Sequence, residues 1–133
     1  MSRRSARPEE RRESGMRAES LAAAWLEERG WTILARNHRC RGGEVDLVAA
    51  RERTIAFVEV RSRSRDDFGH PVESVSQSKR RRIVRAAVDW ARRAGVIESH
   101  FLRFDVIGIL YRDDGSPEIR HIEGAFDAEG RVD

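Results

Sequence analysis

The sequence has very little cysteine and no long apolar segment. Its single cysteine, Cys40, cannot form an internal disulfide, and no second cysteine is present to complete a thiolate zinc site. We expect Cys40 to be an ordinary buried or half-buried thiol. No run approaches the roughly 18 apolar residues that a membrane span requires, and the first residues lack the apolar segment of a secretory signal. We therefore expect a cytoplasmic protein with no membrane partner.

Lysine is also nearly absent, because Lys79 is the only one and the other basic residues are arginines. The net charge of +3 conceals a charged fraction of 37%. Arginine suits phosphate contacts, since its planar guanidinium donates two hydrogen bonds at once, but a drift from lysine to arginine in a GC-rich genome gives the same composition. The basic balance is compatible with a nucleic-acid partner without establishing one.

At 133 residues the chain has the length of one domain. Residues 1–14 offer too little apolar surface to offset the entropy of ordering them, which predicts a disordered arm. Residues 15–126 are predicted to form the folded domain, and residues 127–133 a C-terminal tail.

Apolar periodicity predicts two helices and five strands. The helices are expected over residues 15–29 and 76–94, each followed by a glycine. The strands are expected over residues 31–36, 44–50, 54–61, 101–111 and 118–126. The order αβββαββ, with the first three strands as an antiparallel meander, predicts an α/β fold with a mixed central sheet flanked by helices.

Two acids, Asp46 and Glu59, lie within apolar strands. If residues 52 and 53 form a two-residue hairpin turn, Asp46 lies opposite Glu59 and Glu44 lies opposite Arg61. Facing carboxylates about 5 Å apart repel each other, so a positive group is expected between them. Arginine or a divalent cation such as Mg²⁺ would fit, so structural ion pairs and a metal site both remain open.

Helical phase directs two more residues toward the sheet. Glu19 lies at the edge of the apolar arc of the first helix, and Lys79 lies inside that of the second. Taken alone, Glu19 is typical of a semi-exposed helix charge and Lys79 of a side chain that extends past the core to water. The opposite face of the second helix carries arginines, including Arg81 and Arg82, which are either solvated or follow a phosphate backbone.

Other polar residues favour structural interpretations. The histidines at positions 38, 70, 100 and 121 share no short spacing and are interpreted as ordinary surface or strand residues. Asp66 and Asp67 fall in a predicted loop, where acids are usually solvated. Asp105 lies in an otherwise apolar strand and is predicted to belong to a structural ion pair.

The segments GEVDLV (residues 43–48) and FVEVR (residues 57–61) resemble the split acidic motif of the PD-(D/E)XK nuclease superfamily. Over about residues 15–126 the chain more closely resembles the bacterial YraN family of predicted endonucleases, which are distantly related to archaeal Holliday junction resolvases. The further residues that carry this resemblance are Glu19, Lys79, the segment RFDV (residues 103–106) and the closing Ala125-Phe126.

The resemblance implies a restriction-endonuclease-like sheet and metal-dependent hydrolysis of DNA phosphodiester bonds, with branched DNA as a candidate substrate. Asp46 and Glu59 would bind Mg²⁺ or Mn²⁺ together with the backbone carbonyl of Val60. Glu19 resembles the helical acid that resolvase-like members add to this site. DNA is expected as partner ahead of RNA, and a homodimer is expected by analogy with resolvases, which must cut two strands.

The sequence departs from the family pattern at Arg61, where the strand usually ends in lysine. Arginine keeps the charge but is effectively never deprotonated, so it can stabilise phosphate and cannot act as a base. We hypothesise that Lys79 supplies the missing ammonium from the adjacent helix. Both residues therefore join the predicted catalytic set, and the predicted nucleic-acid contacts are Arg61, Arg63, Arg81 and Arg82.

Two alternative functions remain open. A catalytically weak or inactive nucleic-acid-binding module would keep the fold and the arginine faces, with no need for Asp46 and Glu59 to face each other. A protein-interaction domain that uses the basic arm would instead lose its function when residues 3–17 are deleted.

Overall fold

The computed structural model describes residues 8–64 and 75–132, with side chains described over residues 15–63 and 75–132. Over these residues the order of elements is αβββαββ, as the sequence predicts. The elements are α1 (Pro8–Glu28), β1 (Thr32–Cys40), β2 (Gly43–Arg51), β3 (Thr54–Ser64), α2 (Gln77–Ala94), β4 (Phe101–Tyr111) and β5 (Pro117–Phe126). Asp66, Asp67 and His70 lie outside the described residues.

The first helix begins earlier than the sequence predicts. α1 begins at Pro8, whereas the sequence predicts a start at residue 15, and residues 1–7 lie outside the described part of the chain. Proline is favoured at the first helical position because its φ angle is already helical and its missing N–H has no intrahelical acceptor. Extending an existing helix is also much easier than nucleating one, so a polar segment can continue a helix that its apolar end stabilises.

The five strands form one mixed sheet in the order β1-β2-β3-β4-β5. β1, β2 and β3 are the predicted antiparallel meander. α2 forms the crossover between β3 and β4, which are parallel, and β5 returns antiparallel to β4. The predicted α/β class with a mixed central sheet is confirmed.

One helix covers each face of the sheet. α1 packs through Ala22 and Leu26 against the face that contains Leu47. α2 packs through Ile83 against the face that contains Phe57. The central strands are therefore covered on both sides, as their continuous apolar runs predict. None of the described helices is long and apolar enough to cross a membrane.

Both ends of α2 are capped, which fixes where the helix begins and ends. The Ser76 hydroxyl accepts a hydrogen bond from the Lys79 amide at 3.1 Å, and Gly95 ends the helix in the left-handed conformation. The C-terminal tail adds a further restraint, because Arg80 Nε donates to the Gly130 carbonyl and Arg80 Nη1 to the Val75 carbonyl, each at 2.6 Å. The first turn of α2 is held in place beside the sheet.

Candidate active site

The ladder between β2 and β3 stops where the two buried acids begin. Arg51 pairs with Thr54 across the turn, as predicted, and the pairing runs in that register as far as Leu47 and Val58. The β2–β3 ladder does not continue to the next facing positions, which are Asp46 with Glu59 and Glu44 with Arg61. Beyond this point β2 and β3 contact each other through side chains.

Asp46 makes the first of these contacts. Its Oδ2 accepts a hydrogen bond from the Val60 amide at 2.8 Å, so a carboxylate occupies the place of a backbone acceptor. Its carboxyl group also shares a hydrogen bond with that of Glu59. The prediction that these two acids meet is confirmed for their side chains.

Both acids are deeply buried, with Asp46 7% and Glu59 3% exposed. Burial raises the pKa of each carboxyl group, and the neighbouring charge of Asp46 contributes further to raising the pKa of Glu59 to about 8. Among the described residues, the buried Glu59 Oε2 has no hydrogen-bond partner. Leaving such an atom unsatisfied costs about 1–3 kcal/mol. The atom therefore marks a position where a cation would be stabilised.

Glu19 reaches this pair from α1. It is half-buried and forms side-chain hydrogen bonds with Asn37 and Asp46. Burial and then the charge of Asp46 raise the pKa of Glu19. Its predicted inward orientation is confirmed, and a third carboxyl group joins the cluster.

Asn37 is a member of the cluster that the sequence analysis missed. It lies on β1 between the pairs Arg36–Leu47 and His38–Val45, beside Asp46, and has a φ angle of 50°. Asparagine tolerates this left-handed conformation better than other side chains that bear a Cβ. The available signal was an asparagine inside a strand, where that residue is depleted.

Lys79 enters the cluster from α2. Its side chain is 25% exposed, and Nζ lies 3.4 Å from Glu44 Oε1 and 3.9 Å from Glu59 Oε1. Its charge lowers the pKa of both Asp46 and Glu59, but less than burial raises them. The predicted inward orientation of the only lysine is confirmed.

Glu44 is the second residue that the sequence analysis left out of the site. It was expected to lie opposite Arg61, but its backbone pairs on the other side with Arg39, whose Nε lies 3.4 Å from Glu44 Oε2. Its other oxygen contacts Lys79. The available signal was spacing, because Glu44 and Asp46 alternate along one strand and therefore point to the same side.

The predicted arginines divide into two groups. Arg61 is half-buried on β3, and its charge lowers the pKa of Glu59. Arg63 is exposed farther along β3, while Arg81 and Arg82 are exposed on α2. Arg61 thus belongs with the acids, and the other three lie outside them.

Asp105 shows what a structural acid looks like in this fold. It is fully buried, Arg103 Nε donates to it at 2.9 Å, His121 Nε2 lies 2.7 Å away, and the Gly124 amide donates at 3.0 Å. Burial alone would raise the pKa of Asp105, but the bonds from His121, Arg103 and Gly124 lower it below its usual value. The prediction of a structural ion pair is confirmed. Glu59 differs from Asp105 because its pKa is raised and one of its oxygens has no partner among the described residues.

The acidic cluster can supply part of the coordination shell of a hard divalent ion. Among the described residues, no group of three or more His, Cys, Asp or Glu side chains is arranged to hold a metal by itself. Mg²⁺ commonly uses one or two carboxylates and completes its shell with water and substrate phosphate. Asp46 and Glu59 offer such a pair, with Glu59 Oε2 available as an acceptor. The Val60 carbonyl remains a predicted third ligand.

Comparison with known proteins points to one family. The model of "Uncharacterised protein family UPF0102" matches residues 18–109, a range that contains the four acids of the site (Glu19, Glu44, Asp46 and Glu59), Arg61 and Lys79. The chain is 50% identical over 117 residues to a UPF0102 protein of Anaeromyxobacter dehalogenans (strain 2CP-C), covering 88% of this chain and 86% of that protein. It is 45% identical over 125 residues to a UPF0102 protein of Myxococcus xanthus (strain DK1622), covering 94% and 98%.

Proposed function

The chain belongs to the uncharacterised protein family UPF0102, and from that premise we propose that it is a metal-dependent endonuclease that hydrolyses DNA phosphodiester bonds. The family description assigns no activity, so the proposal rests on the site. The YraN-like resemblance agrees with this family, and the finer relationship to the restriction-endonuclease-like PD-(D/E)XK fold is part of the proposal.

One observation carries the proposal, which is the unsatisfied carboxylate oxygen of Glu59 inside a cluster of acids. A carboxylate that only stabilised the sheet would be expected to resemble Asp105, with its oxygens bonded and its pKa lowered. Glu59 instead has a raised pKa and a buried oxygen without a partner among the described residues, and the carboxyl group of Asp46 lies beside it. Perturbed buried acids of this kind are concentrated at functional sites.

In the proposed mechanism Asp46 and Glu59 hold Mg²⁺, or Mn²⁺ in its place. The bound ion would supply Lewis acidity toward the phosphate and lower the pKa of a water molecule. The Val60 amide keeps Asp46 oriented, and Glu19 restrains the same carboxylate from the side of α1. These two contacts preorganise the Asp46 carboxylate for the ion.

The positive charge beside the phosphate would come from Lys79. Its ammonium lies within 4 Å of both Glu44 and Glu59, so it can neutralise charge that develops on a phosphate bound there. Arg61 adds a second, permanently charged group that stabilises phosphate without accepting a proton. In this proposal the helix lysine takes the role that the PD-(D/E)XK motif usually gives to a lysine on the strand.

A second candidate function follows from Arg61 itself. Without a strand lysine, the same fold could serve as a nucleic-acid-binding module with little or no turnover. The two functions differ at Asp46 and Glu59, since a binding module gains nothing from keeping two acids together in a covered site. A wild-type chain that binds DNA but not a divalent metal would favour the binding module.

We further propose DNA rather than RNA as the substrate, branched DNA among its forms, and a homodimer as the active species. These proposals rest on the likeness to resolvases, which cut two strands.

Cleavage of labelled four-way junctions, linear duplexes and the matching RNA by the full chain in Mg²⁺ or Mn²⁺ tests these assignments. Wild type should cut DNA, and Asp46→Asn should lose at least about 10²-fold in rate. Asp89→Asn serves as the control, because Asp89 pairs with His38 and Arg93 away from the acids. Equal cutting by wild type and Asp46→Asn would overturn the proposal.

A further inference from the structure

A basic cleft lies next to the acidic cluster, between the turn that joins β1 to β2 and the first turns of α2. Its volume is about 610 Å³. It is lined by Gly42, Gln77, Ser78, Arg81, Arg82 and Arg85, and no acid is among these residues. The cleft is therefore a concave surface of positive charge.

Three of the residues that line the cleft are arginines, Arg81, Arg82 and Arg85. Some other arginines face an acid, as Arg93 faces Asp89 and Arg103 faces Asp105. Among the described residues, Arg81, Arg82 and Arg85 form no ion pair, although all three are exposed. Their charge is left for an external group.

The start of α2 is also charged against the preference of a helix. Its first turn contains no acid, and Lys79 is followed directly by three arginines, residues 80–82. Cations near a helix N-terminus oppose the helix dipole, whereas a bound anion is favoured by both the dipole and the side chains. A helix that only had to be stable would have acids here.

Two glycines allow the cleft to form. A Cβ atom on Gly43 would lie 2.7 Å from the Arg82 carbonyl oxygen and from the Ala86 nitrogen. A Cβ atom on Gly42 would lie 3.0 Å from Arg85 Nη1. Because these side chains are absent, α2 approaches the turn closely, and Arg82 and Arg85 lie beside it.

The cleft and the acidic cluster are neighbours along two elements. Gly42 is two residues from Glu44, and Ser78 precedes Lys79. Two extended residues span about 7 Å, and one DNA strand carries a phosphate about every 3.4 Å along the helix axis. A strand with one phosphate at the acids would bring another phosphate to the arginines.

We propose that this cleft binds a phosphodiester group of the substrate strand, one to three nucleotides from the phosphate that is cut. The inference rests on the proposed function of the acidic cluster. Arg82 and Arg85 would then bind the strand beyond the cleaved bond. Such binding favours cleavage inside a strand over removal of its terminal nucleotide.

The test measures binding of the full chain to a fluorescent DNA duplex at several salt concentrations, without metal so that nothing is cut. The double variant Arg82→Gln, Arg85→Gln should bind about 10-fold more weakly. Its plot of log affinity against log salt should be shallower by roughly 1 to 2, as expected for one or two lost phosphate contacts. The control, Arg92→Gln with Arg93→Gln, removes two charges from the same helix away from the cleft and should match wild type within 2-fold.

Equal salt slopes for the cleft variant and the control would overturn the proposal. Circular dichroism and thermal unfolding of every variant show whether it is folded, and Arg82→Lys with Arg85→Lys should retain most of the slope. Cleavage by the same samples in Mg²⁺ separates the two proposals. If DNA binding depends on the arginines but no DNA is cut, the proposed nuclease activity is rejected and the proposed phosphate site is supported. If DNA is cut but the salt slopes are unchanged, the phosphate site is rejected and the nuclease activity is supported.

Discussion

Two buried acids in this protein have opposite surroundings. Asp105 is bonded by a guanidinium, an imidazole and an amide, and these bonds lower its pKa. Glu59 has a buried oxygen without a partner among the described residues, and its pKa rises to about 8. Burial is almost the same for both, so the difference lies in the partners. That difference separates a structural acid from a candidate ligand.

The raised pKa of Glu59 makes stability fall as pH increases. Between about 4.5 and 8 the folded protein holds a proton at Glu59 that the unfolded chain has lost, so the free energy of unfolding decreases across this range. Glu59→Gln removes that dependence and should be more stable than wild type at pH 9 by up to about 5 kcal/mol, the equivalent of a pKa rise from 4.5 to about 8. Urea unfolding in EDTA at pH 5 and pH 9 measures the difference. A glutamine variant less stable than wild type at pH 9 would contradict this expectation.

Replacing Lys79 tests whether a helix lysine supplies the charge at the site. Lys79→Met should lower the rate of metal-dependent cleavage by about 10²- to 10³-fold while the protein remains folded, since a preorganised cation is lost. Lys79→Arg should recover part of the rate, because it restores the charge. Arg92→Met, an exposed position on the same helix, is the control. Unchanged cleavage in Lys79→Met would remove Lys79 from the proposed mechanism.

We expect Asp105 to contribute to the stability of the fold and not to metal binding. Asp105→Asn leaves the charge of Arg103 without its buried partner, and we expect a loss of about 3 kcal/mol in the free energy of unfolding at pH 7. The pKa of Asp105 is lowered, so its contribution is present above about pH 4 and disappears as pH falls through the folded pKa. Urea unfolding at pH 7 and pH 3 should therefore give a smaller difference at pH 3.

The exposed turn variant Asp114→Asn, in which the bond to Ser116 can persist, should change little and serves as the control. A metal affinity lost in Asp105→Asn while the protein is folded would mean that Asp105 belongs to the site.

At the scale of the elements, α2 serves both sides of the proposed site. Its inner side carries Ile83 to the core and Lys79 to the acids. Its outer side carries Arg82 and Arg85 to the cleft. Packing of Ile83 in the core fixes which side of the helix faces the sheet, and the caps at Ser76 and Gly95 fix where the helix starts and stops.

Close approach of α2 to the β1–β2 turn depends on Gly43. Gly43→Ala would place a methyl group 2.7 Å from two backbone atoms of α2, neither of which can move alone. We expect a loss of about 1–3 kcal/mol in the free energy of unfolding and weaker DNA binding, because α2 must shift. Gly15→Ala, in a helix with open space around it, should instead stabilise by up to about 1 kcal/mol. Denaturant unfolding of both variants measures these changes. A Gly43→Ala variant as stable as wild type would show that α2 does not depend on close contact with Gly43.

The sequence predicts the regular parts of the site and misses the irregular ones. The short connection between β2 and β3 limits their register, so the meeting of Asp46 with Glu59 can be predicted by counting. Helical phase likewise predicts that Lys79 points inward. Glu44 and Asn37 escape prediction because their roles depend on where the ladder stops and on a left-handed residue inside β1. Neither feature has a periodic pattern that can be read before the strands are assembled.

At the scale of the whole molecule, the site lies where three layers meet. α1 contributes Glu19, the sheet contributes Asp46 and Glu59, and α2 contributes Lys79. The unexpected helical start at Pro8 lengthens α1 without changing this arrangement, since Glu19 and the packing residues lie farther along the helix. A single packed domain therefore suffices to assemble the cluster.

Binding of a divalent metal by the acidic cluster is the property on which the proposed nuclease activity depends. Isothermal titration calorimetry of Mg²⁺ and Mn²⁺ into the full chain should give saturable binding for wild type and for Asp89→Asn. Binding should be lost in the variant that combines Asp46→Asn and Glu59→Gln. A wild type that binds neither ion, with or without DNA, would overturn the proposed metal site and favour a nucleic-acid-binding module with the same α/β fold.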